Sequence, residues 1–168
     1  MFNHKRTCQA CKTCCKFEKE DIYFAPIFSK NEIDLLISKG VKKELFKTHK
    51  NSKNVLQIKL IKSKENSKIY NCPFLKVKQG LCKIYENRPL DCKIWPLMVM
   101  KDKDSPKNFL VYFDYSCKIT EQMTKEENEE FLKKLVQWFD ESNFIETFKK
   151  NPDLIWNFET QAIPIKEI

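Results

Sequence analysis

Apolar residues in this chain recur with helical spacing in some stretches and as strand-like runs in others, and the mixture predicts an α+β fold. Ser29-Lys30-Asn31-Glu32 has capping-box spacing. Ile33, Leu36 and Ile37 follow at i, i+3 and i+4, so a helix with one buried stripe opens there and stops at Gly40. Residues 22–28 read as an extended apolar segment, and residues 55–61 partly alternate and predict a strand with its turn at 62–68. Two β-rich runs, 94–101 and 108–115, flank the turn-rich residues 102–107 and predict a hairpin. Thr124-Lys125-Glu126-Glu127 repeats the capping box and opens a helix to about Ser142. Its apolar face is Phe131, Leu135 and Trp138, flanked by Leu132, Val136 and Phe139, while Glu126, Glu127, Glu129 and Glu130 complement the positive helix start. A short helix through Ile145 and Phe148 ends near Pro152, and residues 154–165 are apolar and irregular.

Two stretches fit neither period. Residues 8–15, Cys-Gln-Ala-Cys-Lys-Thr-Cys-Cys, place four thiols within eight residues, too dense for core filler. Two intervening residues let a tight turn bring sulfurs to one metal, so Cys8, Cys11 and Cys14 form a natural set of three. Cys15 is harder to accommodate, because consecutive side chains diverge. It faces a second metal, sits behind the ligands, or is a buried thiol acting as a small hydrophobe. Residues 72–96 carry Cys72, Cys82 and Cys92 at ten-residue intervals among Pro73, Pro89 and Pro96, which predicts a loop held by something other than a hydrogen-bonded ladder. The hairpin after it carries Cys92 at one end and Cys117 at the other, and antiparallel strands bring such ends together. His49 lacks a partner at ligand spacing and His4, four residues before Cys8, is a weak ligand candidate; both are expected on the surface.

Composition bounds the function classes. With 168 residues, 42% apolar, and only 2 Gly, the chain suits one globular domain spanning 1–168. The net charge of +8 invites a nucleic-acid reading, but only Arg6 and Arg88 are arginines, and scattered Lys reads as solvated surface. Residues 1–120 hold 25 basic and 12 acidic residues, and 121–168 hold 6 and 11, an excess that metal-bound thiolates would reduce. Nucleic acid is therefore not expected as a partner. No apolar export segment precedes the cysteines and no run reaches membrane-spanning length, so no membrane partner and a cytoplasmic location are expected. In a reducing cytosol, eight cysteines point to metal ligation rather than disulfides.

The leading Cys-x-x-Cys-x-x-Cys-Cys, the Cys72-Pro73-Phe74-Leu75 tetrad and the block Cys82-x-Ile84-Tyr85-x-x-Arg88-Pro89-x-x-Cys92, followed by an aromatic and a proline, resemble the CxxCxxCC cysteine-cluster family. That family is described as a candidate zinc- or iron-chelating domain and takes in flagellin lysine N-methylases. The resemblance spans residue 8 to about 117. It implies that Cys8, Cys11, Cys14, Cys15, Cys72, Cys82, Cys92 and Cys117 are metal ligands. Lys12 stands where many relatives have Gly, and Lys93 where they have Arg.

Thiolates suit zinc or an iron–sulfur cluster and disfavour Mg²⁺ or Ca²⁺, and the triple Cys-x-x-Cys-x-x-Cys favours iron–sulfur, of the 4Fe–4S type. Arg88 would offset thiolate charge or bind an anionic substrate group, or else form a salt bridge to Glu86 or Asp91; Tyr85 would donate to a cluster sulfur or pack as a buried aromatic. The expectation is a small α+β domain with a β-hairpin or small antiparallel sheet, two to four helices, a metal-binding part at 8–117 and a helical part at 121–168. The alternative is a protein-lysine methyltransferase using S-adenosylmethionine on a protein substrate with exposed lysines, which the family resemblance implies.

Overall fold

A computed structural model describes residues 12–50, 52–105, 108–118, 120, 123–157 and 163–167. From the amino-terminal segment, β1 (Lys16–Glu18) leads through a 3₁₀ turn at Ile22–Phe24 to β2 (Ile27–Ser29) and directly into α1 (Lys30–Ser38). Residues 22–28 are thus half turn and half strand rather than one extended segment. The capping box forms as expected, with the Ser29 backbone N–H donating to Glu32 Oε2 at 2.8 Å. The helix ends in a Schellman closure: Gly40 adopts φ 86°, its N–H donates to the Ile37 carbonyl at 2.9 Å, and the Val41 N–H donates to Leu36 at 3.0 Å. Ile33 and Leu36 are buried, but Ile37 is exposed, so the buried stripe is narrower than its spacing suggests.

The chain continues through β3 (Phe46–Thr48), β4 (Val55–Ile58), β5 (Ile61–Lys62) and β6 (Ile69–Asn71). Two three-stranded antiparallel sheets result, ordered β2-β4-β3 and β1-β6-β5. The predicted 55–61 strand is broken after Ile58. Phe28, 1% exposed, meets Phe46 and Phe74 edge-on at centroid distances of 5.2 and 6.4 Å, and Ile33, Leu36, Ile58 and Cys72 complete this core. A phenylalanine so placed contributes about 3–5 kcal/mol relative to alanine. Buried Gln57 donates from Nε2 to the Tyr23 and Ala25 carbonyls, which satisfies its amide group inside the core. His49, expected on the surface, is buried. The polar run around it folds back as a turn between β3 and β4, with the Ser52 N–H on the His49 carbonyl at 2.7 Å.

Residues 72–96 are more regular than a loop. They hold a two-stranded ladder of β7 (Leu75–Lys76) and β8 (Leu81–Cys82), a 3₁₀ turn at Tyr85–Asn87, and the short helix α2 (Leu90–Ile94). Gly80, at φ 66°, allows the tight turn between β7 and β8, and the prolines all lie outside the ladder.

The described residues divide into two compact units, one ending at Lys93 and the other beginning at Ile94. In the second, β9 (Leu97–Lys101) and β10 (Phe109–Phe113) form the expected hairpin, in register from Phe109↔Lys101 to Phe113↔Leu97. After the hairpin come α3 (Lys125–Glu141), capped by Thr124 and Glu127, α4 (Phe144–Lys150), and β11 (Ile163–Glu167), which adds to β10. Phe131, Leu135 and Phe139, at i, i+4 and i+8, are the buried residues of α3, and Trp138 sits at the margin against Phe144. The sheets are antiparallel and the helices short, an α+β fold. No helix among the described residues is long and apolar enough to cross a membrane.

Candidate metal centre

Cys8 and Cys11, with His4 and Arg6, lie outside the described residues. The six described cysteines are all thiols, none in a disulfide. Cys14 and Cys15 lie in a 3₁₀ turn, Thr13–Cys15, that follows Lys12. Lys12 has φ 60°, the left-handed conformation for which glycine is the usual residue, and its Nζ donates to the Val77 carbonyl at 3.1 Å, in the turn between β7 and β8. β1 then pairs with β6, from Lys16↔Asn71 to Glu18↔Ile69, and the Cys72 N–H donates to the Cys15 carbonyl at 2.9 Å. The two cysteine-rich stretches, remote in sequence, are therefore stitched together by backbone.

Cys72 follows β6 and Cys82 ends β8. Both receive backbone amides from the residues just after them: Cys72 from Phe74 and Leu75, Cys82 from Ile84. Amides aimed at sulfur favour the thiolate, and tight turns after cysteine supply them. Burial acts the other way and is stronger, and with smaller upward contributions from Cys82 and Cys14 it leaves the Cys72 thiol pushed up to about 12. The Cys82 thiol is also raised, chiefly by burial, while Ile84 and Arg88 hold it down and Cys14 pushes it up. Cys92, in α2, is raised well above the ordinary thiol value by burial first, then by Asp91, Cys14, Cys72 and Cys82. Cys14, Cys72, Cys82 and Cys92 thus lie within electrostatic reach of one another.

Cys15 packs against the core of the first unit, beside Cys72 and Phe74, as a small hydrophobe would. Cys117 belongs to the second unit and is buried, its carbonyl accepting from the Thr120 N–H and from Thr120 Oγ1 at 2.7 Å. Arg88 lies over the Tyr85 ring, 4.0 Å from its centroid, with Nε donating to the Tyr85 carbonyl at 3.1 Å. No ion pair from Arg88 to Glu86 or Asp91 occurs among the described residues. Asp91 Oδ2 accepts from the Ile27 N–H at 3.2 Å, and Glu32 Oε1 from the Leu90 N–H at 2.7 Å. Sequence reasoning assigned Glu32 to its own helix cap and missed this second bond. Nothing in the spacing of residues 32 and 90 signals it.

The donor set suits a soft or borderline cation. Burial raises the Cys72, Cys82 and Cys92 thiols, and repulsion from neighbouring thiolates, Cys14 among them, adds to it; a cation among them turns that repulsion into attraction, and the amides from Phe74, Leu75 and Ile84 support the same charge state. Hard oxygen-seeking ions gain nothing from sulfur. As the side chains stand, no three His, Cys, Asp or Glu groups among the described residues are close enough together to enclose one ion. The thiols are neighbours, not yet a closed shell.

No curated protein and no solved structure matches the chain. A family model does match, over residues 7–135: CxxCxxCC, "Putative zinc- or iron-chelating domain". The match takes in all eight cysteines and continues past Cys117 into α3, further than the motifs alone reach. A match of this extent, on a chain whose two cysteine-rich stretches fold against each other, places the protein in the CxxCxxCC family.

Proposed function

We propose that this protein binds a metal through a thiolate centre built from Cys14, Cys72, Cys82 and Cys92, with Cys8 and Cys11 available from the adjoining segment. The observation that carries this reading is the pairing of β1 with β6 and the bond from the Cys72 N–H to the Cys15 carbonyl, which bring the Cys14 turn against the segment that holds Cys72, Cys82 and Cys92. Cys117 enters the ligand set by family resemblance alone. Cys15 supports the fold at the edge of the core.

Among soft centres, an iron–sulfur cluster of the 4Fe–4S type is our first choice and zinc the second, on the strength of the Cys8-x-x-Cys11-x-x-Cys14 run. A bound cluster supplies electron transfer, and bound zinc supplies folding energy by fastening the amino-terminal stretch to the segment 72–92. Arg88, fixed on Tyr85, is the cationic complement that holds the Cys82 thiol down, and Tyr85 acts as its platform. The count of reduced thiols fits a reducing compartment, the cytoplasm. No described feature favours the S-adenosylmethionine-dependent lysine methyltransferase.

Anaerobic purification followed by metal analysis and visible absorption tests the proposal. Iron with matching sulfide and broad visible absorption, lost on chelation, is the expected result. Colourless protein with stoichiometric zinc overturns the choice of metal, and protein that takes up neither metal overturns the proposal.

A further inference from the structure

Cys72 and Cys82 are held by strands, and Cys14 by a turn anchored through β1. Cys92 has no such support. It sits in a five-residue helix that begins just after Pro89, too short to hold its own position. Two carboxylates fasten this helix to the β2–α1 element, 58 and 64 residues away in sequence: Glu32 Oε1 accepts from the Leu90 N–H at 2.7 Å, and Asp91 Oδ2 accepts from the Ile27 N–H at 3.2 Å.

Glu32 does this while capping its own helix. Its other oxygen, Oε2, accepts from the Ser29 N–H at 2.8 Å and from the Ser29 hydroxyl at 2.9 Å. One carboxylate therefore serves the amino termini of two helices, α1 with one oxygen and α2 with the other. The double duty needs two acceptor atoms. Alanine at position 32 offers no acceptor, so it removes both the bond to Leu90 and those to Ser29.

We propose that Glu32 is a positioning residue for Cys92, a clamp that sets where the Cys92 thiol stands relative to Cys14, Cys72 and Cys82. The inference builds on the metal-binding reading but is testable without metal. Outer groups that orient ligands typically change metal affinity about 10- to 100-fold when lost.

The test compares Glu32→Ala with Ser29→Ala in the full chain. Ser29→Ala weakens the same capping box and leaves the bond to Leu90 intact, so it reports any general effect of loosening α1. In the metal-free protein, alkylation of each cysteine is followed by mass spectrometry. Glu32→Ala should speed alkylation of Cys92 about tenfold, the effect of losing roughly 1.4 kcal/mol of local protection, with Cys72 and Cys82 unchanged. Ser29→Ala should leave Cys92 within about twofold of wild type, by the same conversion. In a chelator competition with Co²⁺, Glu32→Ala should bind about 10- to 100-fold more weakly, with reduced thiolate-to-metal absorption. An unchanged Cys92 rate, or equal acceleration of all three thiols, overturns the clamp. Failure of the wild type to bind Co²⁺ counts against the metal-binding reading alone, and the alkylation rates still decide the clamp.

Discussion

Cys14 and Cys15 are adjacent, yet their settings differ enough that serine at each should damage a different property. Cys14 is coupled to Cys72, Cys82 and Cys92. Cys15 packs half-buried on the core of the first unit. Cys14→Ser removes a proposed ligand. The loss should reach at least the upper end of what outer-sphere substitutions cost, about 100-fold in affinity or about 2.8 kcal/mol. In the metal-free protein its neighbours are protonated thiols at neutral pH, so stability should change by less than about 0.5 kcal/mol. Cys15→Ser puts a hydroxyl against apolar side chains at a half-buried position. That costs about 1 kcal/mol, the low end for a polar group taken from water, and lowers the urea midpoint of the metal-free protein by about 0.5 M. Metal affinity should stay within about threefold of wild type if Cys15 stands outside the ligand set, as we propose; threefold is about 0.7 kcal/mol. Chelator competition measures the first property and urea unfolding of the metal-free protein the second. Equal loss of metal affinity in both variants would refute the assignment of roles.

The remaining predictions concern charge and protons. Arg88→Ala should raise the Cys82 thiol further and so slow its alkylation at neutral pH in the metal-free protein, and should weaken metal binding about tenfold; Arg88→Lys, which keeps charge but loses planar stacking on Tyr85, should fall between. Unchanged alkylation in both variants would remove Arg88 from the site. Metal binding should release protons, because Cys72, Cys82 and Cys92 have raised pKa values and are protonated at neutral pH when metal is absent. Affinity should therefore rise with pH, which calorimetry in buffers of different ionisation enthalpy measures. A proton count near zero would contradict thiolate ligation. The same shift has a converse in the metal-free protein. Cys72 goes from 9.0 to about 12 on folding, so its contribution is complete below pH 9 and is lost as pH climbs toward 12, and the urea midpoint should fall over that window.

The sequence revealed the helices most clearly where local chemistry is complete within a few residues. Both capping boxes, at Ser29 and Thr124, and the closure at Gly40 are local devices, and each forms where its spacing predicts. The 97–113 hairpin was legible for the same reason. Non-local structure was not. His49 reads as polar loop because its burial depends on how β3 and β4 fold back around it. The β7–β8 ladder was hidden by the prolines on either side of it, which forbid pairing only where they stand. At the site, Cys-x-x-Cys spacing pointed to thiolate chemistry, and the structure added which thiols lie within electrostatic reach of one another. The coupling of Cys14 to Cys72, Cys82 and Cys92 depends on the pairing of β1 with β6 and on the Glu32 bond to Leu90, contacts between segments more than fifty residues apart. Cys15 packs against the same core cluster that holds Cys72 and receives Cys82, a placement that the Cys-Cys spacing alone does not reveal.

X-ray absorption at the metal edge of the loaded, anaerobically prepared protein tests the thiolate centre most directly. The account predicts a first shell of sulfur at about 2.3 Å, losing sulfur in Cys72→Ser and keeping it in Cys15→Ser. A shell of oxygen or nitrogen at about 2.0–2.1 Å, unchanged by Cys72→Ser, would contradict it.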